Sequence, residues 1–179
     1  MEVIRLNQSD AIQALFQAAQ HGDVANLQSL LASFPELANT ENGDGLTPLG
    51  YASHYGQAGA VITLLNHGAD VNAISHSRIA FIPSNTALHA ALAGERSSEV
   101  IRLLLEHGAS SSILDSDGQN ALHSAAFHTD QAELIHLLLQ HGADPNALNS
   151  AGQTALDIAT ERGYTSTASY LREAAATKL

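Results

Sequence analysis

Apolar residues recur along the chain two and three abreast at helical spacing, as in Glu99-Val-Ile-Arg-Leu-Leu-Leu-Glu106. Each such run predicts a short helix that buries a broad face. Three of the runs end alike: Leu64-Leu65-Asn-His67-Gly68-Ala-Asp70, Leu104-Leu105-Glu-His107-Gly108-Ala-Ser110 and Leu138-Leu139-Gln-His141-Gly142-Ala-Asp144. The glycine marks the stop, because the residue after a helix often needs a left-handed backbone that only Gly adopts cheaply. A second set of segments starts a shorter helix each time: Thr47-Pro-Leu-Gly50, Thr86-Ala-Leu-His89, Asn120-Ala-Leu-His123 and Thr154-Ala-Leu-Asp157. Thr or Asn there offers a side-chain oxygen as a cap, and Pro48 at the first helical position forfeits no hydrogen bond. The starts lie 39, 34 and 34 residues apart, and self-similarity at that period predicts a solenoid of stacked units.

These segments resemble the ankyrin repeat, whose units read Thr-Pro-Leu-His-x-Ala and close on Gly-Ala-Asp-x-Asn. The resemblance covers residues 10–175 and implies an all-α solenoid of stacked helix-turn-helix units joined by β-hairpin-like loops. It implies an N-terminal extension at 1–9, a single ankyrin-repeat domain over 10–175 and a tail at 176–179. Within the domain come an N-terminal cap at 10–42, internal units at 43–81, 82–115 and 116–149, and a C-terminal cap at 150–175. The first cap carries Leu15-Phe-Gln-Ala-Ala-Gln-His21-Gly22-Asp23 and then a helix from Val24 to Ser33. The last unit's second helix, Ser166 to Ala175, is more polar than its predecessors, as an end facing water should be. Phe34-Pro-Glu-Leu-Ala-Asn39, the short chain and an insertion before Thr86 resemble the compact stand-alone members found in bacteria.

Departures from the pattern are informative. From Asn72 to Thr86 the chain takes 14 positions where Asn146 to Thr154 takes 8. Six extra residues therefore fall in the hairpin Ile74-Ser-His-Ser-Arg78-Ile79-Ala-Phe81-Ile82-Pro83-Ser84. Asn120 exchanges one capping oxygen for another. Gly50 stands where the family has a histidine, and nothing in the sequence explains it.

Composition narrows the class of function. With 45% hydrophobic and 14% charged residues the chain is globular rather than disordered. Eighteen acidic against seven basic side chains give a net charge of −11, which repels phosphate backbones and anionic lipid and argues against nucleic acid and membrane as partners. Cysteine is absent, so disulfides, thiol nucleophiles and thiolate metal sites are excluded. The start, Met1-Glu-Val-Ile-Arg-Leu-Asn7, has no run suited to a signal peptide, and no stretch approaches the ~20 apolar residues of a membrane span. A cytoplasmic location and a monomer are expected. Thr177-Lys178-Leu179 differs by one residue from the peroxisomal Ser-Lys-Leu address and reads better as a polar tail.

Ten histidines raise the question of metal. His123 and His128, like His136 and His141, are five apart, about 140° around a helix, whereas zinc helices place ligands four apart. His67, His107 and His141 end helices, where a cationic imidazole suits the helix dipole. His89 and His123 match the family's structural histidine, which implies a bridge between neighbouring units. Asp115-Ser-Asp117-Gly118 lacks the remaining ligands of a calcium loop and reads as a turn. There is no Gly-x-Ser-x-Gly elbow, phosphate loop or His-Glu-x-x-His. No catalytic residue, metal or cofactor is expected. Leu64 to Asn72 and Leu138 to Asn146 resemble the leucine-spaced Asp-x-Asn segment modified by animal asparagine hydroxylases, but a hairpin Asn bonding its own backbone is the expected reading.

The resemblance implies contact through the concave side, formed by hairpin tips and the exposed part of the first helices. Carried over unit by unit, it selects Asp44, Leu46, His54 and Tyr55, then Arg78, Ile79, Phe81 and Ile82 from the lengthened hairpin, then Asp117, Gln119, Phe127 and His128, and finally Gln153, Glu161 and Arg162. Of eight Phe and Tyr residues, Tyr55, Phe81 and Phe127 fall where the repeat leaves positions to solvent, and they are the candidate anchors. The alternative expectation is that Phe81 and Ile82 fold back onto Tyr55 as a cover for the long hairpin. The charge favours a neutral-to-basic protein partner. The function expected is non-catalytic protein binding. A regulatory subunit occluding one enzyme, and a small-molecule binder or shallow-site hydrolase using His54 and His128, are the alternatives.

Overall fold

In the computed structural model, which describes residues 7–94 and 97–177, the apolar runs become five helix pairs: α1 (Gln8–His21) with α2 (Val24–Ser33), α3 (Pro48–His54) with α4 (Ala58–Asn66), α5 (Ala87–Ala93) with α6 (Ser98–Glu106), α7 (Ala121–His128) with α8 (Ala132–Gln140), and α9 (Ala155–Arg162) with α10 (Thr165–Thr177). A 3-10 turn at Pro35–Asn39 follows α2. The first helices of the pairs pack on one another in series, as do the second helices, so the chain is a two-layered, all-α repeat solenoid. No strand occurs among the described residues. The second helices contribute Val61, Leu64, Ile101, Leu104, Ile135 and Leu138 to the core, all fully buried. Each such side chain contributes roughly 1.5–3 kcal/mol. Ala52, Ala91, Ala125 and Ala159 are buried on the first helices, where a small side chain lets neighbouring helices approach closely.

At the start, α1 begins at Gln8 and Asn7 caps it, its Oδ1 accepting from Asp10 N–H at 2.9 Å. At the other end α10 runs through Thr177. The Lys178-Leu179 part of the tail motif lies outside the described residues. Met1–Leu6 lie outside them too.

Capping follows the sequence at three of the four starts. Thr47 Oγ1 accepts from Gly50 N–H, Asn120 Oδ1 from the Leu122 and His123 N–H groups, and Thr154 Oγ1 from Asp157 N–H. Thr86 departs, because its hydroxyl is engaged by His89 Nδ1 at 2.8 Å and caps no backbone N–H. His89 Nε2 meets the Gln119 carbonyl at 3.0 Å, and His123 Nε2 meets the carbonyls of Gln153 at 3.0 Å and Ala147 at 3.1 Å. Carbonyls only accept, so Nε2 carries the proton in both rings and Nδ1 is the acceptor. Both rings thus bridge successive hairpins, and burial pushes both imidazoles below their ordinary pKa. His21, His67, His107 and His141 do the opposite, each turning Nδ1 back to the carbonyl four residues earlier at a helix end.

The other edge is held by asparagines. Asn39 donates from Nδ2 to the Gly68 carbonyl and accepts from Asp70 N–H, both at 2.8 Å. Asn72 repeats this on Gly108 at 3.0 Å and Ser110 at 2.8 Å. The expectation that Asn72 bonds its own backbone is therefore corrected. Its side chain clasps the next pair, because stacking brings that pair's helix-ending turn within reach. At the corresponding place in the next step stands Ser112, which is too short and bonds Ser110 instead.

Candidate interaction surface

Four connections between pairs form a row of hairpins. Three are short, with a backbone N–H at the first residue meeting the carbonyl four residues on: Asn42 with Leu46, Asp115 with Gln119, and Asn149 with Gln153. The first residue's side-chain oxygen also accepts two N–H groups inside its own loop. In the remaining connection Ser75 N–H meets the Asn85 carbonyl and Asn85 N–H meets Ser75 Oγ. Eleven residues thus stand where the others have five, which accounts for the six-residue insertion. Neighbouring hairpins are stitched by backbone bonds from His76 to Gly45, Ser116 to Ser84 and Ser150 to Gly118. Gly45 and Gly118 lie under these crossings with φ near 75°, and a Cβ on either would sit 1.9 Å or less from the next hairpin.

The inserted hairpin is organised rather than slack. His76 donates from its backbone to Glu41 Oε1 at 2.9 Å, and its ring Nδ1 lies 2.8 Å from the same oxygen. Arg78 N–H donates to the Asp44 carbonyl, and the Arg78 guanidinium to that of Gly43. Ser84 Oγ accepts from Ser77 N–H, and a turn closes between Ile79 and Ile82. Ile79 and Ile82 are half-buried, whereas Phe81 is 86% exposed at the apex. Phe81 has not folded back onto Tyr55, since the loop's own hydrogen bonds hold it outward. A hollow of about 320 Å³ beneath it is lined by the loop together with Ser116 and Asp117.

The other two aromatics are less open than their sequence positions imply. Tyr55, just past α3, is half-buried edge-on against Tyr51, which in turn meets Phe16, with centroids 5.1 and 5.3 Å apart. Burial, and then the adjacent Tyr55 hydroxyl, raises the Tyr51 phenol above its ordinary pKa. Phe127 on α7 is 40% exposed, and the Arg162 guanidinium lies 3.5 Å from its ring centroid, a cation–π contact supplied by the next pair. His128 meets the same ring edge-on. Gln153 Nε2 donates to Glu161 Oε1 at 3.0 Å. The structure therefore brings Phe127, His128 and Arg162 together, sets Gln153 beside Glu161, and leaves Tyr55 in a separate cluster. Asp44 and Asp117 are exposed at hairpin tips. Leu46 and Gln119 are half-buried, and Leu46 packs on the core. His54 is exposed, with its ring edge-on to Tyr55 and its carbonyl backing Gly94.

Sequence reading missed two features. One is a hollow of about 330 Å³ between α1, the first hairpin and Tyr51, lined by Ile12, Gln13, Phe16, Gln17 and Asn42 among others. The i, i+4 spacing of Ile12 and Phe16, which sets both on one face of α1, was its trace in the sequence. The other is a file of exposed aliphatics, Ile74 (45%), Leu114 (47%) and Leu148 (61%), each just before the residue that closes a hairpin. Among the described residues no group of three His, Cys, Asp or Glu is placed to hold a metal ion. α5 stands between α3 and α7, so His54 and His128 are two helix spacings apart, roughly 16–20 Å, too far to act on one bond. No helix among the described residues is long and apolar enough to cross a membrane.

The family model described as ankyrin repeats (3 copies) matches residues 2–75 and again 76–149, and that described as ankyrin repeats (many copies) matches 131–172. Among curated proteins, the chain is 31% identical over 112 residues to palmitoyltransferase akr1 of Neurospora crassa, covering 63% of this chain and 14% of that protein. It is 38% identical over 93 residues to the serine/threonine-protein kinase VIK of Arabidopsis thaliana, covering 52% of this chain and 20% of that one. It is 42% identical over 55 residues to a transient receptor potential cation channel subfamily A member 1 homolog of Caenorhabditis elegans, covering 31% of this chain and 4% of the channel. The chain thus spans a fifth or less of each, and an acyltransferase, a kinase and a channel have only the repeats in common with it.

Proposed function

The chain belongs to the ankyrin-repeat family, and from that premise we propose that it works by binding another protein through its concave surface and hairpin tips, without chemistry of its own. Ankyrin repeats are generally protein-interaction modules, and the fold is typically non-catalytic. One observation carries the reading to this chain: Phe81 is held 86% exposed at the apex of an inserted hairpin whose own hydrogen bonds fix it there. A large aromatic face kept in water by an ordered loop is a cost that a partner removes, and the ordering entropy of the loop is already spent before binding. The net charge of −11 supports a neutral-to-basic partner and argues against nucleic acid and anionic membrane. A monomer acting in the cytoplasm is the accompanying reading.

The test is capture from the native lysate with mass-spectrometric identification. Wild type runs beside Phe81→Ser alone and beside the triple variant Tyr55→Ser, Phe81→Ser, Phe127→Ser, with circular dichroism checking that all are folded. One protein held by wild type, weakened by Phe81→Ser and lost by the triple variant is the expected result. Equal capture by all three would remove this surface from the function. Substrate turnover by wild type that survives in the triple variant would replace binding with catalysis.

A further inference from the structure

We infer that the hairpin edge is built for a basic, apolar, extended protein segment, which it grips at three aliphatic steps and one aromatic–carboxylate notch. This rests on the reading of the chain as a protein binder and names the chemistry of what is bound. Ile74, Leu114 and Leu148 occupy the same register, one per hairpin, and each is between 45% and 61% exposed. In the first hairpin the corresponding residue is Glu41, whose Oε1 is held by His76. The file is therefore acidic at one end and aliphatic along the remaining three steps.

Stacked helix pairs repeat at roughly 8–10 Å, and backbone bonds from Ser116 to Ser84 and Ser150 to Gly118 keep these hairpins in contact. A polyproline-type extended chain returns to the same face every third residue, after about 9.3 Å. Apolar side chains at every third position of such a segment match the stride of the file.

Charge selects the rest of the segment. Asp44 and Asp117 stand exposed at equivalent places in their hairpins, and among the described residues no hydrogen bond or ion pair engages either carboxylate. The described hairpins contain one cation, Arg78, and its guanidinium is turned to the Gly43 carbonyl. Asp117 and Phe81 line one hollow of about 320 Å³. An arginine or lysine laid there puts its stem and cation against the Phe81 ring and its head group on the Asp117 carboxylate, which combines cation–π and ion-pair recognition. A second copy of the chain is disfavoured as the occupant by its own net charge of −11.

The test uses a fluorescein-labelled synthetic peptide, (Leu-Arg-Ser)4, titrated with the whole protein in an anisotropy assay. (Leu-Glu-Ser)4 and (Ser-Arg-Ser)4 serve as controls, and two-dimensional NMR reports where the peptide lies. The expected result is saturable binding of the first peptide alone, with amide shifts at 74–85, 114–119 and 148–153. Leu114→Ser with Leu148→Ser should weaken it at least tenfold. Asp117→Asn should weaken it about threefold to tenfold and flatten its salt dependence. All three substitutions are at exposed side chains and leave the core intact. Equal binding of either control, unchanged affinity in the double variant, or no binding overturns the inference. Should it fall while the lysate partner is still lost in the Tyr55, Phe81, Phe127 variant, protein binding stands and only the edge and its basic segment are removed.

Discussion

Replacing Asn72 by Ala tests the clasp along the edge formed by the helix-ending turns. The substitution deletes two hydrogen bonds, to the Gly108 carbonyl at 3.0 Å and from Ser110 N–H at 2.8 Å. A net worth near 1 kcal/mol each gives about 2 kcal/mol. Gly108 is exposed and Ser110 half-buried, so water recovers part of the loss and about 1–2 kcal/mol is expected. For a chain of this size that lowers Tm by about 2–8 °C. The reciprocal change is Ser112→Asn, which restores the missing side chain at the step where Gly142 and Asp144 stand where Gly108 and Ser110 stand one step earlier. It sacrifices the Ser110–Ser112 contacts, so a gain of about 0.5–1 kcal/mol is expected. Urea denaturation followed by circular dichroism measures both, and hydrogen exchange at Ser110 localises the first, because that amide loses its acceptor. An unchanged midpoint and unchanged Ser110 exchange in Asn72→Ala would refute the clasp as a source of stability, whatever Ser112→Asn does.

The remaining predictions concern pH, a glycine and a buried hydroxyl. Burial holds the His89 and His123 imidazoles below the ordinary 6.5, so the unfolded chain binds protons that the folded chain refuses. Their contribution to stability is whole above pH 6.5 and falls as pH drops below it toward the folded pKa values; a Tm series from pH 8 to 5 should therefore decline through that window, and a flat series contradicts the assignment. Gly118→Ala strains a φ of 75° and also drives a Cβ to 1.7 Å from Ser150 Oγ, whereas Gly152→Ala, with φ 76°, meets nothing within 4 Å. Thermal melts should show the first costing about 1–3 kcal/mol more than the second, and equal losses would show that the hairpins are not stacked as described. Ser53 Oγ is buried with no partner among the described residues, so Ser53→Ala should stabilise the protein by up to about 1 kcal/mol, and a clear loss on denaturation would reveal a partner.

The repeat period and most helix starts and stops were legible in the sequence, and the bridging role of His89 and His123 was what the family resemblance implied. Each depends on contacts within a unit or on a register that stacking repeats, so a one-dimensional pattern carries it. Gly68, Gly108 and Gly142 are cases in point. Their φ values of 83°, 88° and 86° and the open space around them mean that backbone conformation alone requires glycine there. The six-residue excess before Thr86 was equally plain from spacing, and Ser75 and Asn85 close its base.

What the sequence left open is what depends on the neighbour across a step. Thr86 carries the same capping grammar as Thr47, yet its hydroxyl serves His89, because a ring bridging to the next hairpin needs its Nδ1 satisfied. Phe127 and Arg162 are 35 residues apart with nothing to link them until α9 packs on α7 and the guanidinium closes over the ring. Phe81, with the same claim to be an outward aromatic, stays open because its loop is fastened to the hairpins on either side. The chain by itself determined that there would be a solenoid, where its units turn and that it would be acidic. Only the stacking decided which exposed side chains stand together and which are already covered, since those contacts join residues about one repeat apart through faces that no single unit possesses alone.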